Sequence, residues 1–543
     1  MGQEMSIPVL SQGRVRPLIS YAYLMEKQFC WNTSSTGGWD KTLDLLWKIH
    51  REGTTPFVHD PLFVLSPELV KQSGLLGAQM VYSCWQLQEQ FTIESPLYKT
   101  LSQHNSPLLA EFAQIASALQ HFQRLQRTQD TQETNYRLLA TELKKRGVPP
   151  SQIESYLEET YPLSLRLQTA GELFRLLPGR DEETWFSAHS LAIEVFDPST
   201  KTLIPVPNFT RFSDEDFRSL QTAYRQWWSG DTKNPSQFFA TLEASHIHAK
   251  SRPWSCYYEA ILMCFPWVFT IALLYLLAGL IGIIQSRWWV GGFLFFLAFF
   301  GNAGIILIRS LVLKRPPVSN MTETLLFVPF VGSGVALICR THWLYLAACL
   351  GGGSLLMLCG WQEPVPLLGN IQPVLHSWLW LSWHVLLVVS SYAFFLMASI
   401  IGHAVLISSQ QKGVGSLLLK ILYAGLLLLI LGTILGGAWA AESWGRFWDW
   451  DPKESWAFIS ICTYLLFIHA FQRGYIGYWG LGVGAILGFL SISFTWYGVN
   501  YLLGVGLHSY GFGQGGVQYY LAFLCAELVW LVYCWTQRRI RIT

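Results

Sequence analysis

The sequence predicts an all-α polytopic integral membrane protein, about nine transmembrane helices preceded by a mainly helical soluble domain at residues 1–255. Charge predicts the division. Residues 1–250 carry 23 Lys+Arg and 27 Asp+Glu, the density of a soluble domain, whereas residues 251–543 carry 14 and 8, mostly between apolar runs. Apolar length predicts the spans. A membrane helix takes roughly 20 apolar residues, and nine segments qualify: 261–284, 289–311, 321–338, 343–359, 379–407, 416–438, 456–472, 475–497 and 518–536.

Lys/Arg bias orients these spans. Arg287, Arg340, Lys412, Arg473, Arg538, Arg539 and Arg541 fall on one side, which is then cytoplasmic. Loops 360–378 and 498–517 and the segment 439–456 are extracytoplasmic, and the protein is expected in the cell's inner (cytoplasmic) membrane, with the lipid bilayer as its surroundings. The same count puts residues 1–255 outside, although residues 1–30 contain no apolar core of a signal peptide. The net charge of +2 says nothing about partners, and no Lys/Arg cluster points to nucleic acid as one. Ten scattered cysteines form no Cys-x-x-Cys, which excludes a thioredoxin-like thiol pair, a zinc ribbon and a c-type haem attachment site within the chain.

In the N-terminal part, residues 97–175 read as helical, with Gly147 and Pro149-Pro150 as stop signals. Residues 190–206 alternate as a hairpin around Asp197-Pro-Ser-Thr. His246 and His248 have a metal-pair spacing, but a solvated linker accounts for them better. No catalytic motif is evident before residue 255.

The most informative segment is Trp444-Gly-Arg-Phe-Trp-Asp-Trp-Asp-Pro-Lys-Glu-Ser-Trp456, between two apolar runs. Part of it has a purely structural explanation. Asp451 is a good N-cap, Pro452 suits the first helical position, and Glu454 closes a capping box, so a helix starts here. Interfacial tryptophan belts also occur without any function, but they predict similar numbers at both membrane faces. Here ten tryptophans fall at the predicted outer end and five at the inner end. The excess predicts a platform for a large planar ligand such as haem, built from Trp444, Trp448, Trp450 and Trp456. Arg446 and Lys453 are candidates to pair with carboxylates on that ligand, and Asp449 to order the loop or touch substrate.

Histidine at membrane depth is a functional hypothesis by default, and neutral imidazole is a common haem-iron ligand. His384 lies near the outer surface, about one turn into the span 379–407. His508 lies in Gly504-Val-Gly-Leu-His-Ser-Tyr-Gly-Phe-Gly-Gln-Gly-Gly516, where glycine lets backbone approach a ligand. Both share the face of the aromatic loop, so they can bracket one planar ligand. His469 is about 20 Å down its helix from Trp456 and cannot reach the same iron, though it suits a second, deeper haem or a hydrogen bond within the bundle. His403, about 28 Å beyond His384, reads as structural.

These residues carry a resemblance. The loop resembles the tryptophan-rich "WWD" domain of haem-handling proteins in cytochrome c biogenesis. Trp450-Asp-Pro-Lys-Glu-Ser-Trp456 is similar to the CcsA (ResC) family, the membrane subunit of the system II cytochrome c synthase, or haem lyase. Arg315-Pro-Pro-Val-Ser-Asn-Met-Thr-Glu323 is similar to a CcsA segment, with Thr322 where tyrosine is usual. Ser377-Trp-Leu-Trp-Leu-Ser-Trp-His-Val385 is similar to the segment bearing an outer haem histidine. The likeness covers about 290–536; before it, only Gly13-Arg-Val-Arg-Pro-Leu18 is faintly similar to longer or fused members.

The resemblance implies that His384 and His508 are the two outer axial ligands and that His469 lies on the transmembrane haem path. It implies haem b as the transported substrate, a CcsB (ResB)-like membrane subunit as partner, and apocytochrome c Cys-x-x-Cys-His as acceptor for thioether attachment. Two alternatives stay open at this point: a haem transporter or chaperone without ligation chemistry, and a membrane electron-transfer cytochrome. The cytochrome predicts histidine pairs at matching depth, and His469 has no obvious mate.

Overall fold

The computed structural model describes residues 7–542 apart from 12–13, 29–38, 53–60, 66, 74–80, 89, 93–94, 104–107, 129–130, 170–173, 182–183, 230–235, 250–253, 265, 285–287, 319, 362–379, 409–410 and 504–515. The chain divides into two compact units, Met1–Cys264 and Phe265–Thr543.

The N-terminal unit is helical with four two-stranded antiparallel sheets among the described residues. The predicted helical stretch consists of Pro96–Gln103, Leu108–Thr128, Thr131–Lys145, Pro150–Thr160 and Leu163–Thr169. Gly147 ends one helix at φ +73, a conformation only glycine adopts without strain. The expected hairpin pairs Glu194–Asp197 with Thr202–Pro205. Gly13-Arg-Val-Arg-Pro-Leu18 supplies the strand Arg14–Pro17, which returns against Pro8–Ser11. The core is aromatic: Trp47 stacks on Trp227 at 4.4 Å between ring centroids and packs against Phe174, Phe238 and Phe239. The expectation of a solvated linker at His246 is corrected. His246 is buried in the helix Ser236–His248, with Nε2 3.1 Å from the Leu176 carbonyl oxygen, because the amphiphilic ring fills a core position while its polar atom is satisfied.

The second unit contains, among the described residues, nine helices long and apolar enough to cross a membrane. They are α1 (Trp267–Ile284), α2 (Trp288–Leu313), α3 (Met321–Cys339), α4 (His342–Trp361), α5 (Leu386–Ile407), α6 (Gln411–Trp444), α7 (Pro452–Gln472), α8 (Tyr478–Ser493) and α9 (Val517–Ile542). The chain is a multi-pass membrane protein. Its large exposed side chains, such as Ile284, Phe293, Phe300, Leu427 and Val529, are apolar, as lipid contact requires.

Several boundaries differ from expectation, and three of the differences have a local cause or bear on the site. The first predicted span merged two helices, Trp254–Cys264 and α1, and Pro266, which has no backbone N–H to continue a helical ladder, stands just ahead of α1. The sixth runs well past 438, to Trp444. The eighth runs past 497, because α8 continues as a π-helical stretch, Phe494–Leu503.

Successive spans alternate in direction, so one end of the unit gathers the starts of α3, α5, α7 and α9. At the start of α3 lies a buried ion cluster. Glu323, fully buried, is held by Arg309 from α2, by Arg315 at 2.8 Å and by the Asn320 amide at 2.8 Å. Asn320 also caps α3, accepting from the Glu323 backbone N–H at 2.8 Å. An unpaired charge cannot be buried at this depth, so the arginines fix the α2–α3 corner. The segment that resembled CcsA by sequence is thus a structural joint.

Candidate functional site

The loop between α6 and α7 is short and heavily hydrogen-bonded. Gly445 ends α6 at φ +74, with its N–H on the Ala441 carbonyl at 3.1 Å. Asp451 caps α7: its carboxylate accepts from the Lys453 N–H at 3.1 Å, and Pro452 takes the first helical position. Glu454 reaches back and accepts from the backbone N–H of Asp449 at 2.9 Å and of Asp451 at 3.3 Å. Ser455 donates to the Trp450 carbonyl at 3.1 Å. Lys453 is largely covered, so it belongs to the loop's packing as well as its charge. The Asp449 carboxylate holds Arg446 at 2.7 Å, with both side chains almost half exposed.

This frame forces aromatic rings outward. Trp450 stands at φ +58, a region a bulky side chain rarely enters, and its indole is 68% exposed. Trp448 packs edge-on against it at 5.8 Å, and Phe458 does so from α7 at 6.4 Å. Phe447 is exposed and covers Gly437. Trp456 turns inward onto Phe494 at 4.1 Å. The loop therefore splits its tryptophans between anchoring (Trp456) and display (Trp450). The Trp444 side chain lies outside the described residues.

His384 lies in a π-helical turn, Leu381–Val385, ahead of α5 rather than inside a regular helix. Such single turns re-aim side chains and recur at functional positions. The His384 Nδ1 is 2.7 Å from the Gly432 carbonyl oxygen of α6. A carbonyl only accepts, so Nδ1 bears the proton and Nε2 carries the lone pair of the neutral ring. The imidazole lies so close to α6 that a Cβ at Gly436 would meet Cε1 at 2.5 Å. Trp439, nearly buried, lies 5.9 Å away at 52°. The Trp380 indole N–H donates to the Glu442 carboxylate and ties the start of this turn to the end of α6. The sequence reasoning missed the seat of His384. Its signal was Gly432-x-x-x-Gly436, two glycines one turn apart on one helix face.

The second predicted ligand, His508, lies outside the described residues. The stretch that leads to it is anchored beside the tryptophan loop: Phe494 meets Trp456, and Thr495 lies 3.3 Å from Ser460 of α7, oxygen to oxygen.

His469 lies on α7 towards the opposite end. It is exposed, and Nδ1 is 2.7 Å from the Leu465 carbonyl oxygen, which again leaves the lone pair on Nε2. His403, read as structural, has both ring nitrogens engaged: Nδ1 with the Ser399 carbonyl at 2.8 Å, Nε2 with Glu527 of α9 at 3.1 Å.

An iron porphyrin needs an imidazole lone pair, flat apolar surface and cations for its propionates. The described residues at the loop end supply Nε2 of His384, exposed rings of Trp383, Phe447 and Trp450, and the half-exposed Arg446. The donor set fits the group.

Comparison with known proteins gives the family. The Cytochrome C assembly protein family matches residues 318–508. Protein NrfI of Wolinella succinogenes is 29% identical over 426 residues, covering 70% of this chain and 45% of that protein. That match reaches beyond the membrane unit into residues before 265, and the chain spans less than half of NrfI's length. The cytochrome c biogenesis protein CcsA of Parasynechococcus marenigrum is 30% identical over 266 residues, covering 39% of this chain and 85% of that protein. CcsA of Carica papaya is 28% identical over 269 residues, with 83% of it covered. A membrane unit with its tryptophan loop, matched along most of CcsA's length, leaves one assignment: this chain belongs to the cytochrome c assembly family, and its membrane unit is of the CcsA type.

Proposed function

We propose that this protein handles haem in cytochrome c biogenesis, holding it at the tryptophan-loop end of the membrane unit for attachment to apocytochrome c. Family membership supports the coarse role. The observation that carries the finer one is the pairing of a rigid, doubly capped aromatic loop with His384, whose ring is locked by the Gly432 carbonyl in the tautomer that ligates iron.

In this reading His384 and His508 bind iron axially, Trp450 and Phe447 cover one porphyrin face, and Arg446 meets a propionate. Haem b is the substrate. Each thiol of an apocytochrome Cys-x-x-Cys-His adds across one vinyl group: a C–S bond forms, the thiol proton ends on the neighbouring carbon, and no net electron transfer occurs. The chain's own contribution is placement, which can supply roughly 7–11 kcal/mol of a barrier between two oriented reactants. His469 serves haem in transit, a CcsB-like subunit completes the assembly, and the loop faces outward from the inner membrane.

The test is co-expression with a CcsB-like subunit and an apocytochrome in cells lacking other maturation genes. Covalent haem on the cytochrome is the expected result. Loss of bound haem in His384→Ala and His508→Ala, restored by added imidazole, is expected of axial ligands. Haem-loaded protein that never yields holocytochrome would instead make it a transporter, and full haem content and activity in both variants would refute the ligand assignment.

A further inference from the structure

At the opposite end of α7 from the tryptophan loop, a cleft of about 390 Å³ opens on the surface of the membrane unit, within the size range of small-molecule sites. Its wall is apolar except for three groups. Leu465 and Leu466 form the side, Cys462 lies at one end, and His469, Arg473 and Tyr475 lie at the other. His469 presents Nε2 with its lone pair, because Nδ1 is committed to the Leu465 carbonyl at 2.7 Å. Arg473 comes four residues later, one turn on and about 6 Å further along the axis. Among the described residues no carboxylate lines the cleft. An apolar wall, a ligating nitrogen and a guanidinium thus follow one another along a single helix edge.

We infer that Arg473 is the propionate-binding residue of this cleft and fixes the rotation of haem about the His469–iron bond, carboxylate edge towards the loop Gly474–Gly477. This rests on the reading of His469 as an iron ligand. A porphyrin is apolar over most of its rim and carries both carboxylates on one edge. Leu465 and Leu466 lie on the α7 side of His469 towards the membrane interior, and Arg473 ends the helix, so only one rotation pairs each edge with its like. A guanidinium binds a carboxylate through two parallel N–H groups, which sets direction as well as affinity. Tyr475, 84% exposed, adds a hydroxyl at the same rim.

The experiment compares haem with its dimethyl ester, which keeps the iron and the ring but lacks both carboxylate charges. The full-length chain carrying His384→Ala, which silences the other proposed haem site, is titrated with each in detergent micelles and followed by Soret absorbance. Haem is expected to bind about tenfold more tightly than the ester, the size of a charge-assisted hydrogen bond. Arg473→Gln is expected to remove that preference by weakening haem alone, and Arg473→Lys to keep part of it. A preference unchanged in Arg473→Gln overturns the inference and assigns Arg473 to the helix C-terminus or to lipid headgroups. Adding His469→Ala separates the two levels: if it leaves the Soret band and both affinities unchanged, the reading of His469 fails first; if it abolishes binding while Arg473→Gln is silent, only the Arg473 assignment fails.

Discussion

Single residues at membrane depth define what this unit tolerates. Glu323 is fully buried between two arginines, and Arg309 is 1% exposed. Removing one partner of such a cluster strands a charge, at a cost of about 3–5 kcal/mol. Glu323→Gln is therefore expected to lower thermal stability in detergent by more than any surface change, and replacing Arg309, Arg315 and Glu323 together with apolar residues of similar size to recover most of it. Equal melting of Glu323→Gln and the parent would show that the cluster is not coupled to folding. Gly436 is the other sensitive position. A methyl group there collides with the His384 ring, whose Cε1 it would meet at 2.5 Å. Gly436→Ala should leave helix content intact and reduce haem retention nearly as much as His384→Ala. Normal haem content in Gly436→Ala would mean that the ring has room to move and that its present seat is not the working one.

At the scale of elements, the loop 445–451 is stiff because the start of α7 captures it. Losing the Asp451 cap should cost about 1 kcal/mol, as N-cap substitutions do. Glu454→Ala removes acceptors for two backbone N–H groups, those of Asp449 and Asp451. Both variants are expected to raise hydrogen exchange across the loop and to shorten haem residence; exchange indistinguishable from the parent would show that packing, not capping, holds the loop. The two π-helical stretches act at the same scale. Each breaks the regular register where its helix approaches the tryptophan loop, one at His384 and one ahead of the segment bearing His508. Periodicity in a sequence does not reveal such insertions, because apolar runs look alike in either register. That is why His384 was expected on a plain helix and the eighth span was ended six residues early.

The whole chain couples a membrane unit to an N-terminal unit with its own aromatic core, and that core carries a pH signature. His50 is buried against Trp47, with Nε2 3.0 Å from the Tyr224 hydroxyl, which also lies 3.3 Å from His189 Nδ1. Burial, and then the neighbouring His189, hold the His50 imidazole well below its usual range. The folded unit keeps His50 neutral, whereas the unfolded chain takes up a proton as pH falls through about 6.5. Stability is thus full above that value and declines below it. Thermal unfolding followed by tryptophan fluorescence should show a lower midpoint at pH 5.5 than at 7.5 for the N-terminal transition, and His50→Phe should flatten the difference. A midpoint independent of pH in the parent would overturn this linkage, and a pH dependence retained in His50→Phe would place the titrating group elsewhere.

The membrane unit was legible because its physics is one-dimensional. Burying backbone in lipid demands unbroken apolar helices, so run length alone marked nine spans, and Asp451-Pro-Lys-Glu454 marked the cap. The N-terminal unit was legible only in the helices between residues 96 and 169 and in one hairpin; the burial of His246 and the His50–Tyr224–His189 cluster depend on partners up to 174 residues away.

By itself the sequence determined which residue types gather at one end of a membrane bundle and that their kinds suit a porphyrin, because composition and local capping act between near neighbours. Only the tertiary structure decided how they are used. A hydrogen bond from the π-helical turn ahead of α5 to α6 chose the His384 tautomer, the ends of α6 and α7 turned Trp450 out and Trp456 in, and His403 was assigned to Glu527. Those choices depend on distances between segments far apart in the chain, which no local pattern encodes.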